Sequence, residues 1–70
     1  YFIFLLKFCI ALFDFKPLAS NMIGLKKDEI YKVIEKQDKN GNSEWWLVEY
    51  KKENTLECGY VPKNYVKMLD

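Results

Sequence analysis

Gly59-Tyr60-Val61-Pro62-Lys63-Asn64-Tyr65-Val66 is the stretch from which the rest of this chain can be read. Gly59-Tyr60-Val61 continues a run of strand-forming residues that starts at Leu56. Pro62 has no N–H to give to a sheet ladder, so it closes that strand. Pro62-Lys63-Asn64-Tyr65 then reads as a short turn of 3₁₀ type, and Val66 to Leu69 as a short final strand. The block begins thirteen residues past the end of an upstream aromatic pair, Glu44-Trp45-Trp46. Adjacent residues of a strand point to opposite faces, so one Trp can support a core while the other stands on the surface. A third aromatic block, Ala11-Leu12-Phe13-Asp14-Phe15, lies near the start. An exposed Trp close to a Pro and to several rings marks a ligand groove, because rigid aromatic surfaces bind at low entropic cost.

Seventy residues make one domain. A domain of that size buries about 60% of its unfolded surface, so not all of these rings can be internal. Half the residues are apolar and 17% are aromatic, which excludes a disordered tail. Eleven basic against ten acidic residues leave a net charge of +1, without the basic surplus expected of a nucleic-acid binder. With no His, and Cys9 and Cys58 far apart, there is no ligand set for zinc, and no cofactor or metal is expected. The two cysteines are expected to be free, buried thiols. No Gly-rich phosphate loop is present, and no Ser or Cys has a recognisable base, so no enzyme is expected.

Helix signals are poor along the whole chain, and strand signals recur. Phe8 to Phe13 is rich in strand formers. Lys16 to Gly24 carries Pro17, Ser20, Asn21 and Gly24 and reads as a long irregular loop. In a strand from Glu29 to Glu35, Tyr31 and Val33 share one face, and Ile30 and Ile34 the other. Asn40-Gly41 marks a turn within the loop Gln37 to Ser43. Trp45 to Tyr50 is a third strand. Lys51 to Thr55 is a hairpin turn, with Asn54 expected at positive φ. Five short strands with one long early loop predict an all-β fold, a small antiparallel barrel or sandwich. Closing into a barrel limits exposed edges. The apolar residues 1–7 read as an extension, or as the end of a preceding segment, and the domain as 8–70. The apolar run Tyr1 to Phe13, broken by Lys7, is shorter than the roughly 20 residues of a membrane helix.

The three aromatic blocks together resemble those of SH3 domains. Ala11-Leu12-Phe13-Asp14-Phe15 is similar to the family's ALYDY opening, and Glu44-Trp45-Trp46 to its tandem Trp. Gly59 to Val66 is similar to its G-[FWY]-[IVF]-P-x-N-Y-V signature. Val33-Ile34-Glu35-Lys36, taken with Val61 to Val66, is also similar to the SH3 domains of Nck-type adaptors. The resemblance implies a five-stranded SH3-like barrel that binds proline-rich PxxP segments in polyproline II form, whose extended backbone needs little further ordering. It implies a groove in which Phe13 and Tyr65 form one slot, and Tyr65, Pro62, Trp45 and Phe15 the next. Asn64, Tyr65 and the Trp45 indole N–H would donate to ligand carbonyls. Tyr60 would flank the pocket for the ligand's basic residue, and Trp46 would be structural. Strand alternation and the family register give a core of Ala11, Ile23, Val33, Val48, Val61 and Val66.

The chain departs from that family pattern in ways that bear on ligand choice. Both aromatic positions of the opening block are Phe, so two hydroxyls are missing. The long loop normally carries acids that hold a ligand Arg or Lys. Here Lys16-Pro17-Leu18-Ala19-Ser20-Asn21-Met22 has no carboxylate, and Met22 stands where the key acid is expected. Glu44 and Asp38 are the remaining candidate acids of the specificity pocket. A weakened or altered preference for a basic flank is therefore expected, with an apolar residue packing on Met22 and Leu18. Asp28 sits where a turn Gly is common, and Asp tolerates such geometry better than most residues. The resemblance implies a monomeric adaptor or scaffold module in signalling. It would be cytoplasmic, with the cytosolic face of a membrane or the cytoskeleton as settings reached through a parent protein. The competing reading is a barrel with an atypical ligand or an intramolecular packing role.

Overall fold

The computed structural model describes residues 6–69. Five strands follow one another: β1 Phe8–Ala11, β2 Ile30–Glu35, β3 Trp45–Lys52, β4 Thr55–Pro62 and β5 Val66–Leu69, with a 3₁₀ turn over Lys63–Tyr65 before the last. They form one antiparallel sheet in the order β4-β3-β2-β1-β5. This is the expected all-β barrel, with its 3₁₀ turn where the block after Pro62 predicts it. Most of the expected extension lies outside the described residues. Of its last two, Lys7 accepts the Val33 N–H through its carbonyl at 2.8 Å. The first strand ends at Ala11, short of Phe13. At its end Ala11 N–H donates to the Glu29 carbonyl and Leu12 N–H to that of Tyr65, the last in-register bonds to the β2 and β5 sides.

The core consists of Cys9, Ala11, Leu25, Tyr31, Val33, Trp46, Val48, Val61 and Val66. Alternation along each strand sets it. Tyr31 and Val33 turn inward from β2 while Ile30 and Ile34 stay exposed. Trp46 and Val48 turn inward from β3. Five of the six expected core residues are buried. Ile23 is only half-buried and packs against the core from outside, because it belongs to the long loop laid over β4. Cys9, Leu25 and Tyr31 complete the interior. Cys9 and Cys58 are both free, but only Cys9 is buried; Cys58 faces outward from β4.

Two turns rest on positive φ at a residue other than glycine. Asp28 has φ 74° and donates its N–H to the Ala11 carbonyl, which fits the reading of that position as a glycine-like turn. In the β3–β4 hairpin the positive residue is Glu53, at φ 56°, and not the expected Asn54. The first central position of the two-residue turn takes the strain, the pattern of a II′ turn as opposed to I′.

The long loop is not loose. Its limbs meet in a bridge between Phe15 and Leu25, with both N–H groups donating across at 3.0 Å. Asp14 Oδ1 accepts the Lys27 N–H at 2.8 Å. The returning limb then lies along β4. Tyr60 N–H donates to the Asn21 carbonyl at 2.9 Å, and Ile23 N–H to the Tyr60 carbonyl at 3.3 Å, so that Met22 pairs with Tyr60 in parallel. The glycine at 59 allows this approach, since a Cβ there would come within 2.6 Å of Ile23 Cγ2.

Candidate functional site

Pro62 ends β4 directly opposite Trp45, the first residue of β3. Lys63 N–H donates to the Glu44 carbonyl at 2.9 Å, which ties the start of the 3₁₀ turn to the residue before Trp45. One turn later Tyr65 is presented at the surface. Its ring meets Phe13 and Phe15 edge-on, each at 5.6 Å between centroids, with interplanar angles of 74° and 73°. Such edge-to-face packing suits the ring quadrupoles and holds the three rings as a ridge. Phe13 is 56% exposed, whereas Phe15 is half-buried and also touches the core. Asn64 is exposed on the turn between Pro62 and Tyr65. The tandem Trp divides as strand alternation predicts. Trp46 is buried, with Lys36 Nζ 5.3 Å from its ring centroid, while Trp45 is half-exposed.

Beside Trp45 lies a hollow of about 190 Å³ lined by Asn21, Met22, Asp38, Trp45 and Tyr60. Four elements of sequence far apart meet here, because the backbone bonds to Tyr60 bring residues 21–23 onto β4. Met22, Tyr60 and Asp38 are thus assembled as a group. Glu44 does not line the hollow. Its main chain is used instead, the N–H donating to Asn42 Oδ1 at 2.9 Å. Asp38 enters with one oxygen already engaged: Oδ1 accepts the N–H groups of Asn40 and Asn42, at 2.8 and 2.9 Å. Gly41, at φ 81°, completes this tight loop. Asn21 is a lining residue that the sequence reading left unassigned. Its place follows from the backbone pairing with Tyr60, which no local pattern announces.

A second and larger cleft, about 760 Å³, lies on another side of the long loop. Its walls are that loop at Asp14 to Pro17 and Gly24 to Lys26, and the β3–β4 hairpin at Tyr50, Lys52 and Glu57. Tyr31 and Tyr50 pack there with ring centroids 4.8 Å apart. Lys26 N–H donates to the Tyr31 hydroxyl at 2.9 Å, and the Tyr50 hydroxyl donates to Glu29 Oε1 at 2.6 Å. The bond to the Glu29 carboxylate holds the Tyr50 proton and raises its pKa. Burial raises that of Tyr31. The sequence reading missed this cluster, since Glu29, Tyr31 and Tyr50 belong to no motif.

Among the described residues no group of three or more Cys, Asp or Glu could hold a metal ion, and no helix is long and apolar enough to cross a membrane.

Comparison with known proteins agrees with this geometry. The family described as SH3 domain matches residues 10–63. Human dynamin-binding protein is 35% identical over 60 residues, which cover 86% of this chain and 4% of that protein. The tyrosine-protein kinase Btk of Drosophila melanogaster is 34% identical over 61 residues, covering 87% of this chain and 7% of the kinase. The chain therefore spans a small fraction of the length of these relatives. With the three aromatic blocks, the five-stranded barrel and the family match in one register, the chain belongs to the SH3 domain family, whose members are protein-interaction modules that generally bind proline-rich segments.

Proposed function

We propose that this domain is a non-catalytic adaptor module that binds proline-rich segments of partner proteins along Phe13, Phe15, Trp45, Pro62, Asn64 and Tyr65. The observation that carries the reading is the ridge in which Tyr65 is flanked edge-on by both Phe13 and Phe15. The furrows on either side of that ridge suit the prolines of a polyproline II helix, whose carbonyls are free to accept hydrogen bonds. The missing Phe hydroxyls remove donors without removing the slots. A contact of this small size gives modest affinity.

The hollow of Met22, Asp38, Trp45 and Tyr60 would receive the residue flanking the PxxP core. Its one lining carboxylate, Asp38, has Oδ1 engaged by two backbone N–H groups. A bidentate Arg fork needs both oxygens free. The preference for Arg is therefore weak, and an apolar flank packing on the thioether of Met22 is accepted comparably. Titration by Trp fluorescence tests both parts. PxxP peptides should bind, with Arg-, Leu- and Ala-flanked versions within a few-fold of each other. Strong selection for the Arg flank would overturn the reading of the hollow. Failure of every PxxP peptide would turn attention to an atypical ligand or a packing role.

A further inference from the structure

Tyr60 donates and accepts on the side of β4 that faces away from β3, and the long loop takes both bonds through Asn21 and Ile23. Alternate residues of a strand present their N–H and C=O to the same side. Cys58 and Leu56 therefore face that side too. Their neighbours Glu57 and Thr55 share the orientation of Gly59, towards β3. That pairing is parallel, so towards Cys58 the loop runs back to Ser20 and Ala19, which turn away from β4, the Ala19 carbonyl accepting the Met22 N–H at 3.2 Å. Among the described residues no backbone partner takes up Leu56 or Cys58 on the open side. A short free strand edge thus begins where the loop's pairing ends.

The same segment borders the 760 Å³ cleft. Glu57 lines it, together with Tyr50, Lys52 and the loop. Leu56 points to the opposite face of the sheet and is 62% exposed, beside Phe8 and Ile30. The cleft's other acids are already engaged. Asp14 Oδ1 accepts the Lys27 N–H, and Glu29 Oε1 the Tyr50 hydroxyl. Glu57 has no ion pair or side-chain hydrogen bond among the described residues.

We propose that residues 55–58 and the cleft beside them form a second interaction surface, which takes an extended segment of a partner protein as an added antiparallel strand with a basic side chain facing Glu57. The main-chain bonds would come from Leu56 and Cys58, and selectivity from alternate side chains. Glu57 would then sit in a non-hydrogen-bonded pair, where opposed side chains are closest. The next cleft-facing position of the added strand, opposite Thr55, lies near Lys52 and fits an acid. Apolar residues between these would pack on Leu56. A second copy of the chain fits poorly. Antiparallel pairing of two such edges through Leu56 and Cys58 sets Glu57 directly against its own copy, a like-charge pair that destabilises.

The test is an amide NMR titration of the 70-residue chain with acetyl-Thr-Val-Lys-Val-Glu-Thr-amide, and with its charge-swapped form, acetyl-Thr-Val-Glu-Val-Lys-Thr-amide. The expected result is a shift and slowed exchange at the Leu56 and Cys58 amides, at several-fold lower concentration for the first peptide. Asn64 and Tyr65 should stay unshifted, so the result is independent of proline binding. Leu56→Pro removes the outward N–H without touching a bond to β3, and should abolish the effect. Glu57→Lys should reverse the order of the two peptides, which guards against disturbance of the hairpin by the Pro. No shift at these amides at millimolar peptide, or equal response to both peptides, would overturn the proposal. So would concentration-dependent shifts there without peptide, which would make a second copy the occupant.

Discussion

Ile23 packs so closely on Gly59 that a Cβ at position 59 would meet its Cγ2 at 2.6 Å and its backbone N at 3.0 Å. Because the main chain is one of the obstacles, a rotamer change cannot relieve the clash. Gly59→Ala should force residues 21–23 off β4. We expect a loss of about 1–3 kcal/mol in chemical denaturation, the range of overpacked sites. The hollow beside Trp45 should be distorted in the same variant, since Met22 lies between the two loop residues bonded to Tyr60.

The two Trp residues should separate stability from binding. Trp46 is buried against the core, so Trp46→Ala should cost about 3–5 kcal/mol and leave a largely unfolded chain. Trp45 is half-exposed, lining the hollow at the end of the proposed groove. Trp45→Ala should keep a cooperative unfolding transition and lower affinity for a PxxP peptide by about thirtyfold or more, as for an interface hot spot. Denaturation and titration of both variants check this.

Restoring an acid should restore a basic preference. Met22 lines the hollow next to Asp38 and Tyr60. A Met22→Glu carboxylate would be free of the backbone bonds that engage Asp38. Affinity for an Arg-flanked peptide should rise about five- to tenfold, with little change for the Leu-flanked form. The gain should shrink in high salt, because the pair is near the surface.

Burial raises the Cys9 thiol from its ordinary value of 9.0 to about 11. The neutral form is thus favoured in the folded state. Its contribution to stability is complete below pH 9 and is lost as pH rises towards 11, because the unfolded chain ionises first. The raised values of Tyr31 and Tyr50 act in the same direction. Unfolding free energy should therefore fall over that alkaline range, and Cys9→Ala should flatten the fall. At neutral pH a thiol reagent should label Cys58 in the native protein and Cys9 only on unfolding.

Strand alternation made much of the fold legible. Val48, Val61 and Val66, the division of Trp45 from Trp46, and the turn after Pro62 all follow from local pattern. The hairpin turn was harder, because Glu53 and Asn54 are both central residues of a two-residue turn and local composition does not decide which of them takes positive φ. Ile23 looked like core for the same reason that Asn21 went unassigned. Both depend on the long loop pairing with Tyr60, a contact between segments nearly forty residues apart. The candidate groove was legible through motif register. The engagement of Asp38 Oδ1 by its own loop and the free edge at Leu56 and Cys58 were not, since both are facts of backbone geometry.

Proline binding along the aromatic ridge is decided by amide NMR titration with a PxxP peptide. Shifts should centre on Phe13, Trp45, Asn64 and Tyr65, with the Trp45 indole N–H moving as it donates to a ligand carbonyl, and should be lost in Trp45→Ala. Shifts elsewhere on the barrel with these positions unmoved, or no shifts for any PxxP peptide while the domain remains folded, would contradict it.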